Sequence, residues 1–389
     1  MDKCTLKENK MKQTAVYKPE IDGLRGIACL IVLIGHSVAC IFPAIYFGNS
    51  YQQHSPIEAF VHGTPLNLLF NGSAMVMIFF IISGYLMNNK SYTSLVDFAV
   101  KRYIRYLPMV MLGITLAAFV MYSHAVNSIP LAEYSYAGKY VDQYNNFAPA
   151  ILGKDGVIFE ALVKVFLLGS NYNSVLWYIS VAFLGDIAFA ILLKFLNEKG
   201  CKKAVLCIVI VSLWCAGIKI WQLQYVSGMA MGILIAELDA KLDEVKSWSC
   251  FIIGILLLSF EDKGASGIYA PLQYISTAVV PFWCMGGGMA LLGILKNKRI
   301  CDIFRMNLLR WYGKYSFAIY ALQWPIIISV SCGSCLLFYK AGVNYCFAGI
   351  GGILIGTAAT VGLAVLVQSK LYDPLYKEFV TAWHKIYRK

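Results

Sequence analysis

The sequence predicts an all-α, polytopic integral membrane protein with about ten transmembrane helices and with both termini in the cytoplasm. Its 389 residues are 59% hydrophobic and only 14% charged, whereas about a quarter of the residues in a soluble domain are charged. The mean hydropathy of +0.64 is correspondingly high. The apolar residues are gathered into long segments, and the basic residues collect on one side of them, which is the pattern of a multi-pass membrane protein.

A hydropathy window of about 19 residues separates the apolar part of the chain into segments of membrane-spanning length. Their approximate bounds are 24–46, 66–87, 105–122, 176–196, 204–221, 223–240, 248–260, 270–295, 311–337 and 345–368. Most connections are short, so we expect one membrane domain over residues 21–370 and no attached soluble domain. A cytoplasmic tail of residues 1–20 precedes this domain, and another of residues 371–389 follows it.

The distribution of basic residues tests the orientation of these segments. With the N-terminus in the cytoplasm, ten spans leave only a few of the 33 Lys and Arg residues outside, namely Lys139, Lys154, Lys164, Lys219, Lys263 and Lys340. Cytoplasmic segments are enriched in Lys and Arg, so the asymmetry supports the orientation and an even number of spans. The lysine-rich tail leads into an apolar segment without a small-residue cleavage site, which is typical of a retained signal anchor.

Residues 123–175 form the one long predicted loop, and it lies outside the cell in this topology. The loop is rich in Tyr and Asn, as in Tyr134, Tyr136, Tyr140, Tyr144, Asn145 and Asn146. Aromatic and amide side chains suit the binding of a sugar, and they suit an interfacial aromatic belt equally well. Residues 158–168 predict a short amphipathic helix that lies on the membrane lipid.

Arg25 and His36 are the first candidate functional residues. They are eleven residues apart on the first predicted span, which is about three helical turns and about 16 Å of rise, so their side chains lie on nearly the same face. An ionisable residue at membrane depth is costly unless it faces protein or water. His36 is therefore a candidate functional-site residue, with a neutral histidine hydrogen-bonded inside the bundle as the structural alternative. We expect Asp22, just before Arg25, to cap the helix at the membrane surface.

A basic cluster, Lys101, Arg102 and Arg105, precedes the third predicted span. Arg102 and Arg105 are three apart and share a helical face, a spacing that lets two guanidinium groups grip phosphate oxygens. The alternative is a topology determinant or a lipid-headgroup contact. No glycine-rich phosphate-binding loop accompanies the cluster.

Polar residues inside later spans complete the set of candidates. Asp186 lies within the fourth predicted span and needs a partner, which a buried arginine, a histidine or a water-filled cavity would provide. The supporting candidates are Ser83, Trp177, Ser180, Ser316, Tyr320 and Gln323. We predict no metal site, because His54, His62 and His124 lack ligand spacing. The net charge of +12 fits basic cytoplasmic loops and does not predict nucleic-acid binding.

The order and spacing of these motifs resemble the membrane acyltransferase-3 family, which includes O-acetyltransferases of bacterial surface polysaccharides. The motifs are Ile21 to Gly26 followed by His36, Phe79 to Tyr85, Arg102 and Arg105 with Pro108, the stretch from Trp177, and Ser316, Tyr320 and Pro325. The resemblance implies ten or so helices, a cytoplasmic acyl-CoA donor and a glycan acceptor reached from the other side. It implies that His36 is catalytic and that Arg25, Arg102 and Arg105 serve the donor or the site.

The chain departs from the family pattern at two positions. Many relatives have a glutamate where this chain has Ala182 and a histidine where it has Gln323. Glutamine cannot transfer a proton and can only orient a group by hydrogen bonding. Ala182 and Asp186 are four apart on one helical face, so we hypothesise that Asp186 supplies the missing negative charge to the catalytic site.

These observations predict a membrane O-acyltransferase in the bacterial cytoplasmic membrane. It would move an acyl group, most simply acetyl, from acetyl-CoA or another acyl-CoA to a hydroxyl of a glycan or lipid-linked saccharide, with no bound cofactor. One alternative is a proton-coupled transporter or flippase in which His36 and Asp186 form a relay. Another is a catalytically silent relative, which the residues Ala182 and Gln323 favour.

Overall fold

The structure is a computed structural model, and its described residues are all helical where they form regular elements. It describes residues 17–48, 51–88, 94–138, 156–167, 169–170, 172–196, 200–238, 241–261, 266–275 and 279–387. Within these ranges no strand occurs, so the predicted all-α fold is confirmed. Most of the predicted N-terminal tail, and Tyr140, Tyr144, Asn145 and Asn146 of the predicted loop, lie outside the described residues.

The long helices, each of at least 15 residues, carry the fold. They are α1 (Pro19–Ile41), α2 (Gly72–Met87), α3 (Leu95–Tyr122), α4 (Trp177–Leu196), α5 (Lys202–Ala216), α6 (Trp221–Glu237), α7 (Glu244–Leu258), α8 (Val279–Lys296), α9 (Asn307–Ile326), α10 (Tyr345–Val367) and α11 (Asp373–Tyr387). A π-helical turn, Ile327–Ser331, joins α9 to the helix Cys332–Lys340. A second one, Gln368–Tyr372, joins α10 to α11.

Short helices and helical turns fill the connections. They are Pro43–Phe47, Pro56–His62, Pro65–Leu69, Ser128–Ser135, Val157–Phe159, Glu160–Lys164, Val165–Leu167, Ser174–Leu176, Gly267–Ile275 and Lys298–Phe304. The three that cover residues 157–167 follow one another directly, so the helix predicted over residues 158–168 is present, with Leu168 outside the described residues. Among the aromatic residues of the predicted loop, the half-buried Tyr134 packs against Tyr339, and the exposed Tyr136 stacks on His54.

Each predicted span overlaps a helix. Among the described residues, six helices are long and apolar enough to cross a membrane, and they lie within Pro19–Ile41, Leu95–Tyr122, Ser174–Leu196, Val279–Lys296, Asn307–Lys340 and Tyr345–Tyr387. The helices at the other four predicted spans, α2, α5, α6 and α7, have 15 to 17 residues. The protein is therefore a multi-pass helical membrane protein, while the count of ten spans and the cytoplasmic termini stay predictions.

Helix α1 begins earlier than predicted, and this changes the role of Asp22. Lys18 is extended and Pro19 occupies the first helical position, where proline is favoured because its missing N–H would have no helical partner. Asp22 consequently lies inside the first turns and does not cap the helix. Its carboxylate accepts a hydrogen bond from the Tyr17 hydroxyl at 2.7 Å and faces Arg25.

Helices α1 and α9 pack side by side at very short range, and they run in the same direction. A Cβ atom at Gly26 would lie 2.1 Å from the carbonyl oxygen of Leu309, and one at Gly313 would lie 1.9 Å from that of Asp22. Further along both helices, the Cys29 thiol donates to the Ser316 carbonyl at 3.3 Å. Small residues thus allow the two backbones to touch, as is common between membrane helices.

The end of the bundle at which α1 begins is here named the basic end. Here the buried Glu20 carboxylate accepts a hydrogen bond from Arg305 at 3.0 Å, and this bond raises the pKa of Arg305. At the same end the start of α5 meets the end of α6, where Lys202 lies 2.8 Å from Glu237. The first contact links the starts of the parallel helices α1 and α9, and the second links the start of α5 to the end of α6, which runs in the opposite direction.

Candidate functional site

A cavity of about 110 Å³ opens at the basic end between α1, α2, α3, α4 and α9. It is named the arginine cavity after three of its lining residues, Arg25, Arg102 and Arg105. Its other polar lining residues are Ser83, Tyr106, Tyr178, Ser316 and Tyr320, and its apolar ones are Val76, Phe79, Ile82, Leu86 and Phe317. The structure thus brings six of the predicted site residues and two further tyrosines to one concave surface with a positive wall.

Asp186 is completely buried beside this cavity and holds Arg102 in place. Its Oδ2 atom lies 3.2 Å from Nε of Arg102, and its Oδ1 atom accepts a hydrogen bond from Ser83 at 2.9 Å. The Tyr106 hydroxyl donates a longer bond of 3.4 Å to the same carboxylate. The buried arginine predicted as a possible partner of Asp186 is therefore Arg102. Since a buried carboxylate needs a paired charge, this ion pair accounts for an aspartate inside α4.

Arg25 points towards the start of its helix. Its Nη1 atom lies 3.6 Å from Oδ1 of Asp22, one turn back, and the side chain is 23% exposed. His36 lies in the opposite direction along α1, with about 16 Å of helix rise between the two residues. Arg25 is therefore placed to meet a molecule that enters the arginine cavity, and its ion pair with Asp22 points away from His36.

His36 lies deeper in the bundle, at the level of the second half of α9. Its half-buried ring packs edge-on against Trp324, with 6.1 Å between the ring centroids, and the Gln323 side chain faces it. Among the described residues, His36 Nδ1 and Gln323 Oε1 are buried polar atoms without a hydrogen-bond partner. His36 and Gln323 thus form a polar pair beside Trp324 in the interior of the bundle.

Residues of α9 lie between the level of the arginine cavity and the level of His36. Ser316 and Tyr320 line the cavity, and Gln323 comes one turn later, donating from Nε2 to the Tyr320 carbonyl at 3.3 Å. The Tyr320 hydroxyl donates to the Val175 carbonyl, and its ring packs edge-on against Tyr178 at 5.5 Å. These two tyrosines form the inner wall of the cavity on the side of Gln323.

Three predicted site residues make their contacts elsewhere. Lys101 does not line the arginine cavity, and its amino group pairs with Asp97 at 2.8 Å. Ser180 donates to the Val165 carbonyl at 2.5 Å, and so ties α4 to the helical segment of residues 157–167. Trp177 packs edge-on against Trp221. Lys101 lies one residue before Arg102 on α3, and that single step turns it to a different face of the helix.

Tyr106 and Tyr178 were missed by the sequence analysis. Tyr106 follows Arg102 by four residues and therefore shares its helical face, which is a signal that the sequence contains. Tyr178 directly follows Trp177 in a predicted span, where aromatic residues are common. No local feature of the sequence distinguishes it.

Comparisons with known proteins agree with this architecture. A family model described as an acyltransferase domain, acyltransferase 3, matches residues 18–368. The O-acetyltransferase PaAT-1 of Phomopsis amygdali is 23% identical over 377 residues, an alignment that covers 82% of this chain and 74% of the relative. No solved structure gives a significant match.

Proposed function

The chain belongs to the acyltransferase-3 family, and on this premise we propose that it carries acyl groups from a thioester donor to a hydroxyl group across a membrane. The donor is acyl-CoA, with acetyl-CoA as the simplest case, and it binds in the arginine cavity. The acceptor is a hydroxyl of a glycan or lipid-linked saccharide that enters from the opposite end. The name of the relative, an O-acetyltransferase, supports an oxygen acceptor and an acetyl group.

One observation carries this proposal. A cavity with three arginines lies at the basic end, and a histidine with an unpartnered ring nitrogen lies further along α1, beside α9. A nucleotide thioester brings several phosphates, and guanidinium groups are suited to bind them. The two parts of the site thus match the two ends of the donor, its anionic nucleotide and its reactive thioester.

The topology of the proposal has ten spans with the basic end in the cytoplasm. The enrichment of Lys and Arg at that end supports this orientation, because acyl-CoA is then on the side of the arginine cavity. The four shorter helices, α2 and α5 to α7, each pack against at least one other helix, so protein instead of lipid covers part of their surface. We propose the bacterial cytoplasmic membrane as the location, on the resemblance to polysaccharide O-acetyltransferases.

His36 acts as general base in this mechanism. Its neutral imidazole accepts the proton of the acceptor hydroxyl, whose oxygen forms the ester bond to the thioester carbonyl carbon. The carbon–sulfur bond then breaks, and CoA leaves as a thiolate while the proton stays on the imidazole ring of His36. The Gln323 amide oxygen, which has no partner among the described residues, accepts the other ring N–H and orients the imidazole. General-base catalysis of this kind contributes about 10²- to 10⁴-fold.

Asp186 and Arg25 act on the donor and do not take part in the proton transfer at His36. The contacts of Asp186 with Arg102 and Ser83 make it a positioning residue for the donor arginines. Arg25 and Arg105 then attract the donor phosphates at the cavity. The relay of the transporter alternative needs His36 and Asp186 on one path, whereas Asp186 contacts Arg102, Ser83 and Tyr106, which line the arginine cavity.

The test is an acyl-transfer assay with the purified protein in nanodiscs. Labelled acetyl-CoA and a glycan acceptor are mixed with the wild type, with His36→Ala and with His124→Ala, an exposed histidine that serves as the matched control. We expect transfer by the wild type and the control and none above background by His36→Ala. Movement of unmodified glycan without acyl transfer would support the transporter, and unchanged O-acyl content of surface glycan after gene deletion would support a silent relative.

Two routes use the same residues, and kinetics separates them. In direct transfer, donor and acceptor are bound together and initial rates give intersecting reciprocal plots. If acyl passes first to His36, the rates follow a ping-pong pattern and an acyl-enzyme accumulates with donor alone. Mass spectrometry of the protein after incubation with acetyl-CoA alone measures that intermediate.

A further inference from the structure

Helix α11 has three different faces, and one of them is apolar and exposed. Tyr376, Val380 and Trp383 face the protein and are partly covered. Trp383 donates from its indole N–H to Asp97 at the start of α3 at 2.9 Å. This contact anchors α11 against the first turns of α3.

The second face of α11 is an apolar stripe whose side chains are exposed in the structure. It consists of Leu371, Leu375, Phe379, Ala382 and Ile386, all exposed. Their spacing of four, four, three and four residues keeps them in line along the helix. Ile386 is 69% exposed and Phe379 is 40% exposed. In water such a stripe would be unfavourable, since each apolar side chain gains free energy on burial.

The third face is basic and lies beside the apolar stripe. The basic face carries three lysines, Lys370, Lys377 and Lys385, together with Thr381. Glu378 lies at the border between this face and the apolar stripe. A helix with an apolar stripe next to a lysine face is typical of helices that lie in the membrane interface. The lysines then reach anionic headgroups while the stripe enters the acyl-chain boundary.

The length and position of α11 favour the membrane as the occupant of this stripe. The continuous helical segment Tyr345–Tyr387 has 43 residues, about 64 Å if straight, whereas the apolar core of a bilayer is about 30 Å thick. The part beyond α10 therefore leaves the bilayer core at the surface where its apolar stripe begins. The headgroup region is the first environment that this stripe meets.

The start of α11 also touches the arginine cavity. Tyr372, in the π-helical turn before α11, donates its hydroxyl to the Arg105 carbonyl at 2.8 Å. Its ring packs edge-on against Phe317, with 6.2 Å between centroids, and Phe317 and Arg105 both line that cavity. Tyr372 further stacks on Tyr376 of α11. A displacement of α11 is thus transmitted to two residues of the cavity wall.

We propose that α11 is a membrane-surface helix which binds anionic lipid and thereby holds the Arg105 side of the arginine cavity in its donor-binding position. The anionic lipid is recognised by Lys370, Lys377 and Lys385, and the apolar stripe inserts between the headgroups. The effect on the donor rests on the proposed function, whereas the binding of α11 to lipid does not.

The test compares full-length protein in nanodiscs of neutral phosphatidylcholine and of phosphatidylcholine mixed with phosphatidylglycerol. Hydrogen–deuterium exchange of residues 373–387 and the KM for acetyl-CoA are measured in both. The variants are Lys377→Gln with Lys385→Gln and, as the control on the same face, Thr381→Gln. In the anionic discs we expect slower exchange and a lower KM for the wild type and the control. Each lysine contributes about fivefold to binding at an anionic surface, so the double variant should lose most of the protection.

Several outcomes would overturn the proposal. Equal exchange in the two lipids, or full protection in the double lysine variant, would show that α11 does not bind anionic lipid. Protection without any change in KM would remove the link to the arginine cavity. A dimer that disappears in Phe379→Ser would identify the stripe as an interface between two copies. Absence of acyl transfer by the wild type would contradict the proposed function and leave the exchange result intact.

Discussion

Replacement of Asp186 by asparagine distinguishes a residue that positions Arg102 from one that takes part in catalysis. The substitution keeps the size of the side chain and its ability to accept a hydrogen bond from Ser83, but it removes the charge that pairs with Arg102 at 3.2 Å. Asp186 is fully buried and the Arg102 side chain is only 11% exposed. Removing one partner of a buried ion pair costs about 3–5 kcal/mol because the other charge is left uncompensated.

We expect two measurable effects of Asp186→Asn. The midpoint of thermal unfolding in nanodiscs should fall, and the KM for acetyl-CoA should rise. A hydrogen bond to a charged group contributes about 1.5–3 kcal/mol, so loss of the ordered Arg102 corresponds to a rise of roughly 10- to 100-fold in KM. The kcat at saturating donor should stay within a few-fold of the wild type. Ser83→Ala, which removes one hydrogen bond and no charge, should give a smaller change in the same direction.

A double-mutant cycle tests whether Asp186 acts through Arg102. If Asp186 acts through Arg102, the effects of Asp186→Asn and Arg102→Gln on KM are not additive, because the two residues form one pair. If Asp186 instead serves His36, kcat falls by about 10²- to 10⁴-fold with little change in the donor KM, and the two substitutions add. That result would restore the sequence-based hypothesis of a catalytic Asp186.

Three other predictions concern packing and the two ends of the site. Gly313→Ala should lower the unfolding midpoint by the equivalent of about 1–3 kcal/mol, because the new Cβ would lie 1.9 Å from a backbone oxygen of α1. The control Gly362→Ala should leave the midpoint unchanged, because its new Cβ meets nothing within 4 Å. Equal midpoints for the two variants would contradict the close approach of α1 and α9. Gln323→Ala should lower kcat several-fold without changing the donor KM, because the ring of His36 loses its orienting partner, and an unchanged rate would remove that role. Lys101→Gln should leave the donor KM unchanged, since Lys101 pairs outside the arginine cavity; a clear rise would return this lysine to the donor site.

Much of the site could be predicted where it depends on one helix. Arg25 and His36 are on α1, and Arg102 and Arg105 are on α3, as their spacing indicates. The predicted shared face of Arg102 and Arg105 is consistent with both lining the same cavity. A helical period fixes relations between residues a few turns apart, so these local predictions needed no tertiary information.

The cap assigned to Asp22 was wrong for a local reason that the sequence also contained. Pro19 favours the first position of a helix, and it moves the start of α1 towards the N-terminus by several residues relative to the hydropathy boundary. Hydropathy reports where the apolar core of a span lies, whereas the helix itself extends into the polar surface region. The same difference explains why α3 begins at Leu95 and not near residue 105.

The sequence by itself determined the class of protein, the location of the helices and the candidate residues along each of them, because hydropathy and helical periodicity are properties of neighbouring residues. Only the tertiary structure decided that Asp186 pairs with Arg102 and that Gln323 faces His36. These contacts join residues that are far apart in sequence. They depend on how closely the helices approach each other and on how each helix is rotated about its own axis. Between α1 and α9, the helices that carry His36 and Gln323, this approach depends on Gly26 and Gly313, which allow the two backbones to touch.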